Sequence, residues 1–269
     1  MNWFEKILCF LQGEMEDPVP YGWFHWLWIF LVIGSLIFLY LKKNKYNDKQ
    51  LKIVLGIYGI IAFILELAKQ LIWAFNYDAI TGIVTWEYEW YAAPFQLCTT
   101  PIYISIICLF LKKNKFRDAL LSYLAYYTIL GSLMTIIIPD SCFTSDILVN
   151  IHTMFLHCGS FVVSVYLLFT KEVEVKYSNV IKGLYAFLTF VFIANTLNIV
   201  IYNLGILNGE SFNMFYISPY FISSLPVYNT VQESIPYFFY LMFYIITIYL
   251  GSNIIYFISL GMHSIKKKK

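Results

Sequence analysis

Seven apolar segments of about 20 residues each run through this chain of 269 residues, and they place it in a membrane. Hydrophobic residues make up 60% of the chain, charged residues make up 13%, and the mean hydropathy is +0.68. Because a water-soluble domain carries about 25% charged residues, the composition excludes an ordinary soluble protein. The apolar segments lie near residues 22–41, 53–75, 91–111, 119–138, 147–170, 180–204 and 235–259.

The basic residues are confined to alternate connections between these segments. Residues 42–52, 112–118, 171–182 and 266–269 hold 16 of the 18 Lys and Arg residues, whereas the other connections are acidic. Short loops rich in Lys and Arg stay in the cytoplasm. The sequence therefore predicts an all-α polytopic membrane protein, a bundle of seven transmembrane helices with its N-terminus outside and its C-terminus inside.

The connections are too short to form a second domain. We predict an extracytoplasmic N-terminal segment over residues 1–21, a transmembrane domain over 22–259 and a basic cytoplasmic tail over 260–269. Residues 3–12 are partly apolar, which fits either a helix along the outer surface or a disordered end. The five cysteines form no CxxC pair and no zinc spacing, so we expect no metal and no cofactor.

Polar side chains occur in six of the seven segments and concentrate in the half that is predicted to face outward. Such groups usually face a protein interior or a wet cavity, where they mark function. At about 1.5 Å of rise per residue, Cys98 would lie about 10 Å and His157 about 15 Å below the outer surface. We therefore predict a polar cavity that opens outward. Its candidate residues are His25, Glu66, Cys98, His152, His157 and Asn198.

Several of these residues also have a purely structural interpretation. Glu66 and Lys69 are spaced i, i+3 and would neutralise each other. His25 lies among tryptophans near the membrane surface, and Asn198 would join helices by hydrogen bonds. His152 is about 140° round its helix from His157 and shallower, which predicts a position at the rim.

The third segment offers two competing nucleophiles, Cys98 and Thr99. At 100° per residue, Cys98 lies about 200° from Gln96 and 100° from Thr99. Gln96 and Cys98 would therefore not face the same cavity on a regular helix. Pro94 and Pro101 flank this stretch and would distort the helix.

Five short motifs together carry a resemblance to a known family. They are His25 in WFHWLW, Glu66 in the second segment, APFQLC from Ala93 to Cys98, Pro139-Asp140 followed by His157, and FNMFYISP with Asn213 and Pro219. On these motifs the chain resembles, over roughly residues 20–225, the YwaF-type bacterial integral membrane proteins, relatives of the eukaryotic transmembrane protein 164.

The resemblance implies acyl chemistry on lipids. The eukaryotic relative is understood as an acyltransferase that remodels phospholipids through a cysteine acyl-enzyme and a histidine. The similar androgen-induced membrane hydrolases pair a threonine with a histidine. The motif has a His where this chain has Gln96, and the eukaryotic nucleophile falls at Cys98 or at Phe95.

Carried onto this chain, the resemblance implies a membrane acyltransferase or lipid hydrolase whose partners are membrane lipids, with a phospholipid as the acyl substrate. Nucleic acid is not an expected partner. The expected catalytic residues are Cys98, Thr99 and His157, and the expected substrate-binding residues are His25, Glu66, Gln96, Asp140, His152, Asn198 and Asn213.

Three other functions stay open. A small-solute transporter or binding protein would use a re-entrant segment near residues 205–226. A zinc hydrolase would need His25, His152 and His157 together, although two of these diverge on one helix. A structural membrane protein would only satisfy its own polar core. The richness in Ile, Asn, Lys and Tyr is typical of an AT-rich bacterial genome, which predicts the plasma membrane of a bacterium.

Overall fold

The computed structural model describes residues 1–43, 47–139 and 142–267, with side chains through residue 262. Within these ranges it contains ten α-helices and one antiparallel pair of short strands, β1 (Phe75–Tyr77) and β2 (Val84–Trp86), so the all-α class is confirmed. The helices are α1 (Trp3–Leu11), α2 (Trp23–Lys42), α3 (Asp48–Ala74), α4 (Thr100–Phe110), α5 (Lys115–Tyr126), α6 (Ile129–Ile137), α7 (Ile147–Phe169), α8 (Tyr177–Asn203), α9 (Tyr228–Ser234) and α10 (Tyr237–Lys267).

In the described ranges, six helical stretches are long and apolar enough to cross a membrane. They are α2, α3, α5 continued by α6, α7, α8 and α10. The third predicted segment is instead represented by α4, an apolar helix of 11 residues.

Two prolines explain why the third segment is short. Pro94 disfavours the helical conformation of the preceding residue, and Ala93 is extended at φ −51° and ψ 139°. Pro101 lies in the first turn of α4, where its missing N–H leaves no helical hydrogen bond unmade. The prediction of one helix over residues 91–111 is therefore wrong for its first nine residues. Cys98 lies just before α4, not within a helix.

Helix α5 lies at the centre of the bundle. In the most apolar 18 residues of each span, 67% of the residues of α5–α6 are buried, against 22% of those of α2 and of α10. Tyr123 and Tyr126 of α5 are fully buried. Helix α8 approaches α5 closely at Gly183, where an added Cβ would lie 2.8 Å from the Tyr127 ring and 3.1 Å from the Ser122 backbone.

The N-terminal helix α1 lies across one end of the bundle. Leu8 is buried with Ile72, Phe75 and Val149, while Phe10 on the opposite face is 82% exposed. The amide of Gln12 donates hydrogen bonds of 2.8 and 2.7 Å to the backbone carbonyls of Ile72 and Phe75. Of the two alternatives for residues 3–12, the structure shows an ordered helix with one apolar exposed face.

The acidic and basic connections meet at opposite ends of the bundle. At the acidic end, Met15 N–H donates to Ser145 O at 2.8 Å, and Trp90 N–H donates to the Glu210 carboxylate at 2.7 Å. At the basic end, Lys182 lies 3.8 Å from Asp118. The alternation of charge read from the sequence thus corresponds to two distinct surfaces.

The close approach at Gly183 can be tested by substitution. We expect Gly183→Leu to lower the free energy of unfolding by about 1–3 kcal/mol, because overpacking forces α8 away from α5. Thermal unfolding of the detergent-solubilised protein measures the change. Gly34→Leu is the matched control, because an added Cβ at Gly34 meets nothing within 4 Å. Equal stability of the two variants would contradict the proposed contact.

Candidate functional site

Residues 92–99, which we call the Cys98 loop, lie between α3 and α4 and contain no α-helix; Ala92 ends a single 3-10 turn, Trp90–Ala92. The hydroxyl of Thr99 accepts a 2.9 Å hydrogen bond from Gln96 N–H and lies 2.9 Å from Gln96 O and 3.2 Å from Pro94 O. The Tyr103 hydroxyl also donates to Pro94 O. The loop is therefore closed on itself by side chains, and the buried Thr99 hydroxyl is engaged with backbone.

A buried cluster around Glu66 fixes the start of this loop. Glu66 Oε1 lies 2.8 Å from both Lys69 Nζ and Gln70 Nε2, which confirms the predicted shared face on α3. Gln70 Nε2 donates to Ala92 O at 2.7 Å, and Lys69 Nζ lies 3.5 Å from the same carbonyl. The cluster satisfies a backbone carbonyl that has no helical partner.

The same carboxylate orients a histidine from another helix. His152 Nε2 on α7 lies 2.7 Å from Glu66 Oε2, and both side chains are almost completely buried. Because an ionised carboxylate only accepts hydrogen bonds, Nε2 carries a proton, and in the neutral imidazole Nδ1 then carries the lone pair. Nδ1 is buried and forms no hydrogen bond with any described residue. The structure thus places His152 in the interior and not at the predicted rim.

Three side-chain amides fix a second stretch without α-helix, residues 212–218, which contains one distorted 3-10 turn, Met214–Tyr216. Asn198 accepts from Met214 N–H at 2.7 Å and donates to Met214 O at 3.0 Å. Gln96 accepts from Phe215 N–H at 2.8 Å and donates to Asn213 O at 3.0 Å. Asn213 in turn accepts from Ser218 N–H at 2.8 Å. These amides supply the hydrogen bonds that a helix would otherwise make internally.

This second stretch enters the protein interior. Phe212, Met214, Phe215 and Ile217 are all buried. Phe215 and Tyr216 both adopt φ 59°, a left-handed conformation that costs energy for a residue with a side chain. The amide contacts and the burial of the ring are what hold the chain in this conformation.

Cys98 lies near the end of the first of these stretches, two residues before α4 begins. Its thiol is half-buried and within electrostatic range of Lys69 and Glu66. Tyr58 and Tyr216 are also within electrostatic range of the thiol. The Cys98 loop thus begins at the Glu66 cluster, and the Cys98 and His152 side chains are not hydrogen-bonded to each other.

His157 lies further along α7, outside the Glu66 cluster. Its ring is half-buried and forms no hydrogen bond in the described part of the chain, while His152 is within electrostatic range. The predicted pair of Cys98 and His157 is not joined by a hydrogen bond. The neighbouring residue Cys158 instead lines an apolar groove of about 420 Å³ between α2, α3 and α7.

His25 forms a separate contact on α2. Its Nδ1 accepts from Tyr21 N–H at 2.9 Å, and its Nε2 lies 2.7 Å from Ile136 O. Both ring nitrogens are thus occupied, and the ring joins the start of α2 to the end of α6.

Asp140, predicted to bind substrate, lies outside the described residues.

Metal ligands do not converge in the part of the chain that the structure describes. No three His, Cys, Asp or Glu side chains there form a group that could hold a metal ion. His152 is paired with Glu66 and His25 with backbone, so the three-histidine arrangement of a zinc hydrolase is not formed by these rings.

The sequence analysis missed a charged cluster at the basic end. Arg117 is the only arginine of the chain, and its side chain is 1% exposed beside Asp48. The signal available in the sequence was a single arginine in a chain with 17 lysines. Arginine is preferred over lysine at buried positions that need specific hydrogen bonds.

A bundle of long apolar helices with buried polar clusters defines the class of this molecule as a multi-pass α-helical membrane protein. The model of the TMEM164 family matches residues 20–256, and the chain therefore belongs to this family. That match confirms the suspected relation to transmembrane protein 164. Comparisons with curated proteins and with solved structures give no match.

Removal of the Glu66 charge tests the buried cluster. We expect Glu66→Gln to lower the free energy of unfolding by about 3–5 kcal/mol, because it leaves the Lys69 ammonium buried without its counter-ion. Adding Lys69→Met to this variant should restore part of the loss. Unfolding followed by circular dichroism measures both changes. The control is Glu16→Gln at an exposed position; a loss as large in the control, or no recovery in the double variant, would refute the assignment.

Proposed function

We propose that this chain is a membrane enzyme that transfers fatty acyl groups on lipids, with the Cys98 thiol as nucleophile and His152 as base. The observation that carries the proposal is the position of Cys98 on a non-helical loop. The Glu66–His152 cluster fixes the start of that loop, and the Gln96 amide fixes its middle. Family membership supports acyl chemistry through the resemblance described above.

The choice of base rests on the carboxylate. A nucleophile is commonly activated by an imidazole that a third group orients. Glu66 orients His152 through Nε2 and leaves the lone pair of Nδ1 for a thiol proton. His157 has no carboxylate partner among the described residues, so it is the second candidate for the base.

The reaction then proceeds in two balanced steps. His152 Nδ1 takes the thiol proton as sulfur attacks the ester carbonyl of a phospholipid. The bond from the acyl carbon to the glycerol oxygen breaks, that oxygen takes the proton, and a thioester and a lysophospholipid form. An acceptor hydroxyl then gives its proton to His152 and attacks the thioester, and the departing thiolate recovers the proton. With water as the acceptor, the same steps give hydrolysis.

The roles of the neighbouring polar residues follow from their contacts. The Thr99 hydroxyl is engaged with backbone, which favours Cys98 over Thr99 as the nucleophile. The amides of Gln96, Asn198 and Asn213 are occupied by backbone groups. We assign them as positioning residues that hold the two loops, not as direct contacts to substrate.

The apolar groove between α2, α3 and α7 is the proposed site for the acyl chain. It has a volume of about 420 Å³ and includes Trp28, Val32, Tyr58, Phe155 and Val162. Tyr58 lines this groove and interacts electrostatically with the Cys98 thiol, so we propose that the acyl chain approaches the nucleophile past Tyr58. Its walls are suited to a hydrocarbon chain, since apolar contact needs no hydrogen-bond partners.

A second candidate is a structural membrane protein without catalysis. It is favoured by one observation: His25, Gln96, Asn198 and Asn213 all use their polar atoms on the chain's own backbone. In that case the polar residues would only stabilise the non-helical stretches. Uptake of a solute into liposomes that contain the purified protein would instead support a small-solute transporter.

We also propose the membrane arrangement. The chain crosses the membrane seven times, with α4 and the Cys98 loop as the third crossing, the N-terminus outside and the C-terminus inside. The separation of acidic and basic connections supports this orientation. The proposed location is the plasma membrane of a bacterium, which would place Cys98 nearer the outer surface.

Intact-protein mass spectrometry tests the chemistry. Wild type incubated with phosphatidylcholine of one acyl length should gain the mass of one acyl group, and hydroxylamine should remove it. Cys98→Ala should abolish this adduct, and Thr99→Ala and Cys108→Ala should retain it. His152→Gln should slow its formation by about 10²–10⁴-fold, the usual contribution of general-base catalysis.

The variants separate the competing assignments. Glutamine at position 152 can still donate a hydrogen bond to Glu66, so slower acylation would report the lost base and not a lost fold. A large loss in His157→Ala with a normal rate in His152→Gln would transfer the role of base to His157. An absence of adduct and lipid turnover in every variant would favour the structural candidate.

Cysteine labelling tests the orientation. We expect a membrane-impermeant maleimide to label Ile80→Cys in intact cells, because Ile80 lies in the exposed turn between β1 and β2 at the acidic end. Lys112→Cys, at the basic end, should be labelled only after the cells are permeabilised. The labelling of the native cysteines in wild type is subtracted. Labelling of Lys112→Cys but not of Ile80→Cys in intact cells would overturn the proposed orientation.

A further inference from the structure

A polar cavity of about 340 Å³ lies at the basic end of the bundle. Its walls come from the α4–α5 connection, the start of α5, the α7–α8 connection and the start of α8. The charged residues that line it are Lys113, Arg117, Asp118, Lys171, Glu172, Glu174, Lys176 and Lys182. Five of these are basic and three are acidic, so the lining carries a net positive charge.

The buried charged side chain in this lining is Arg117. Its Nη2 forms an ion pair with Asp48 Oδ1 at 2.6 Å, although this contact lacks hydrogen-bond geometry. Nε, Nη1 and Nη2 are all buried and form no hydrogen bond with a described residue. Buried polar groups are normally satisfied, and a guanidinium is shaped to bind two oxygens of a carboxylate or phosphate at once.

The other charges leave two lysines available to a ligand. Lys182 and Lys176 are paired with Asp118 at 3.8 Å and Glu174 at 2.5 Å. Lys113 and Lys171 are exposed and form no ion pair within the described ranges. Burial raises the pKa of the Glu172 carboxyl above its usual range. Lys113 and Arg117 oppose this shift, so the Glu172 carboxylate offsets part of the positive charge of the cavity.

The helix ends add to the positive potential. Both α5 and α8 begin at this cavity, and a helix N-terminus carries a partial positive charge that favours anions. Lys171 itself adopts φ 63° in the turn that follows α7, and it lines the cavity. The positive side chains therefore come from the α4–α5 connection (Lys113), from α5 (Arg117) and from the α7–α8 connection (Lys171).

We propose that this cavity binds a phosphate group, with Lys113 and Lys171 at the mouth and the Arg117 guanidinium at the floor. The group belongs either to the headgroup of an anionic phospholipid or to a soluble phosphate. The site is distinct from the Cys98 loop, since it lies at the opposite end of the bundle. The proposal of phosphate binding therefore does not depend on the proposed acyl chemistry.

The binding of inorganic phosphate and of phosphatidic acid tests the proposal. The full chain is placed in nanodiscs of phosphatidylcholine, and phosphate binding is measured by calorimetry. In a second arm, native mass spectrometry counts phosphatidic acid retained from nanodiscs that contain both lipids. Lys113→Gln with Lys171→Gln should weaken binding of the ligand by about tenfold or more, because hydrogen bonds to charged groups are lost.

A lysine outside the cavity lining provides the control, and the buried arginine of the lining provides a second variant. Lys112→Gln changes an exposed lysine next to Lys113 that does not line the cavity, so it should change the affinity less than about twofold. Arg117→Gln should abolish binding, and the double lysine variant covers the case in which this buried substitution prevents folding.

The two arms distinguish the source of the phosphate. Retention of phosphatidic acid without binding of inorganic phosphate would assign the headgroup of a lipid, and binding of inorganic phosphate alone would assign a soluble ligand. Absence of both, or equal binding by the double lysine variant and the Lys112→Gln control, would overturn the proposal.

Discussion

The backbone of a membrane protein must satisfy its own hydrogen bonds, because hydrocarbon offers none. Two stretches of this chain, the Cys98 loop and the segment around Phe215, leave helical geometry and enter the interior. Side chains replace the missing helical bonds: Gln70 binds Ala92 O, and Gln96 and Asn198 bind backbone groups of residues 213–215. The rest of the candidate site depends on these contacts, since they position the half-buried thiol of Cys98.

The same requirement explains the cluster around Glu66. A buried carboxylate is tolerated when it is paired and hydrogen-bonded, and Lys69, Gln70 and His152 supply these partners. One arrangement therefore has two effects. It satisfies the carbonyl that begins the Cys98 loop, and it orients an imidazole whose second nitrogen has no hydrogen-bond partner among the described residues. Stability and the proposed chemistry rest on the same side chains.

The two ends of the bundle have different character. The acidic end carries α1, the β-hairpin and the loops that surround Cys98, while the basic end carries a cavity with a buried arginine. In the proposed arrangement, the first would contact lipid ester groups and the second a phosphate. Both are tied to the central helix α5, since α4 leads into it from the Cys98 loop and Arg117 lies in its first turn.

The all-α class, the apolar helices and the alternation of charge follow from the sequence alone, because span length and loop charge are local properties. So does the Glu66–Lys69 pair, since i, i+3 spacing brings these side chains together on a single helix. The irregular Cys98 loop was only partly foreseeable, from Pro94 and Pro101. What the tertiary structure decided was which groups meet across helices. The contact of Glu66 with His152 instead of His157 depends on the rotation and depth of the packed helices. The same holds for the contact of Gln96 with the backbone near Phe215. Hydrophobic periodicity specifies neither the rotation nor the depth of a helix.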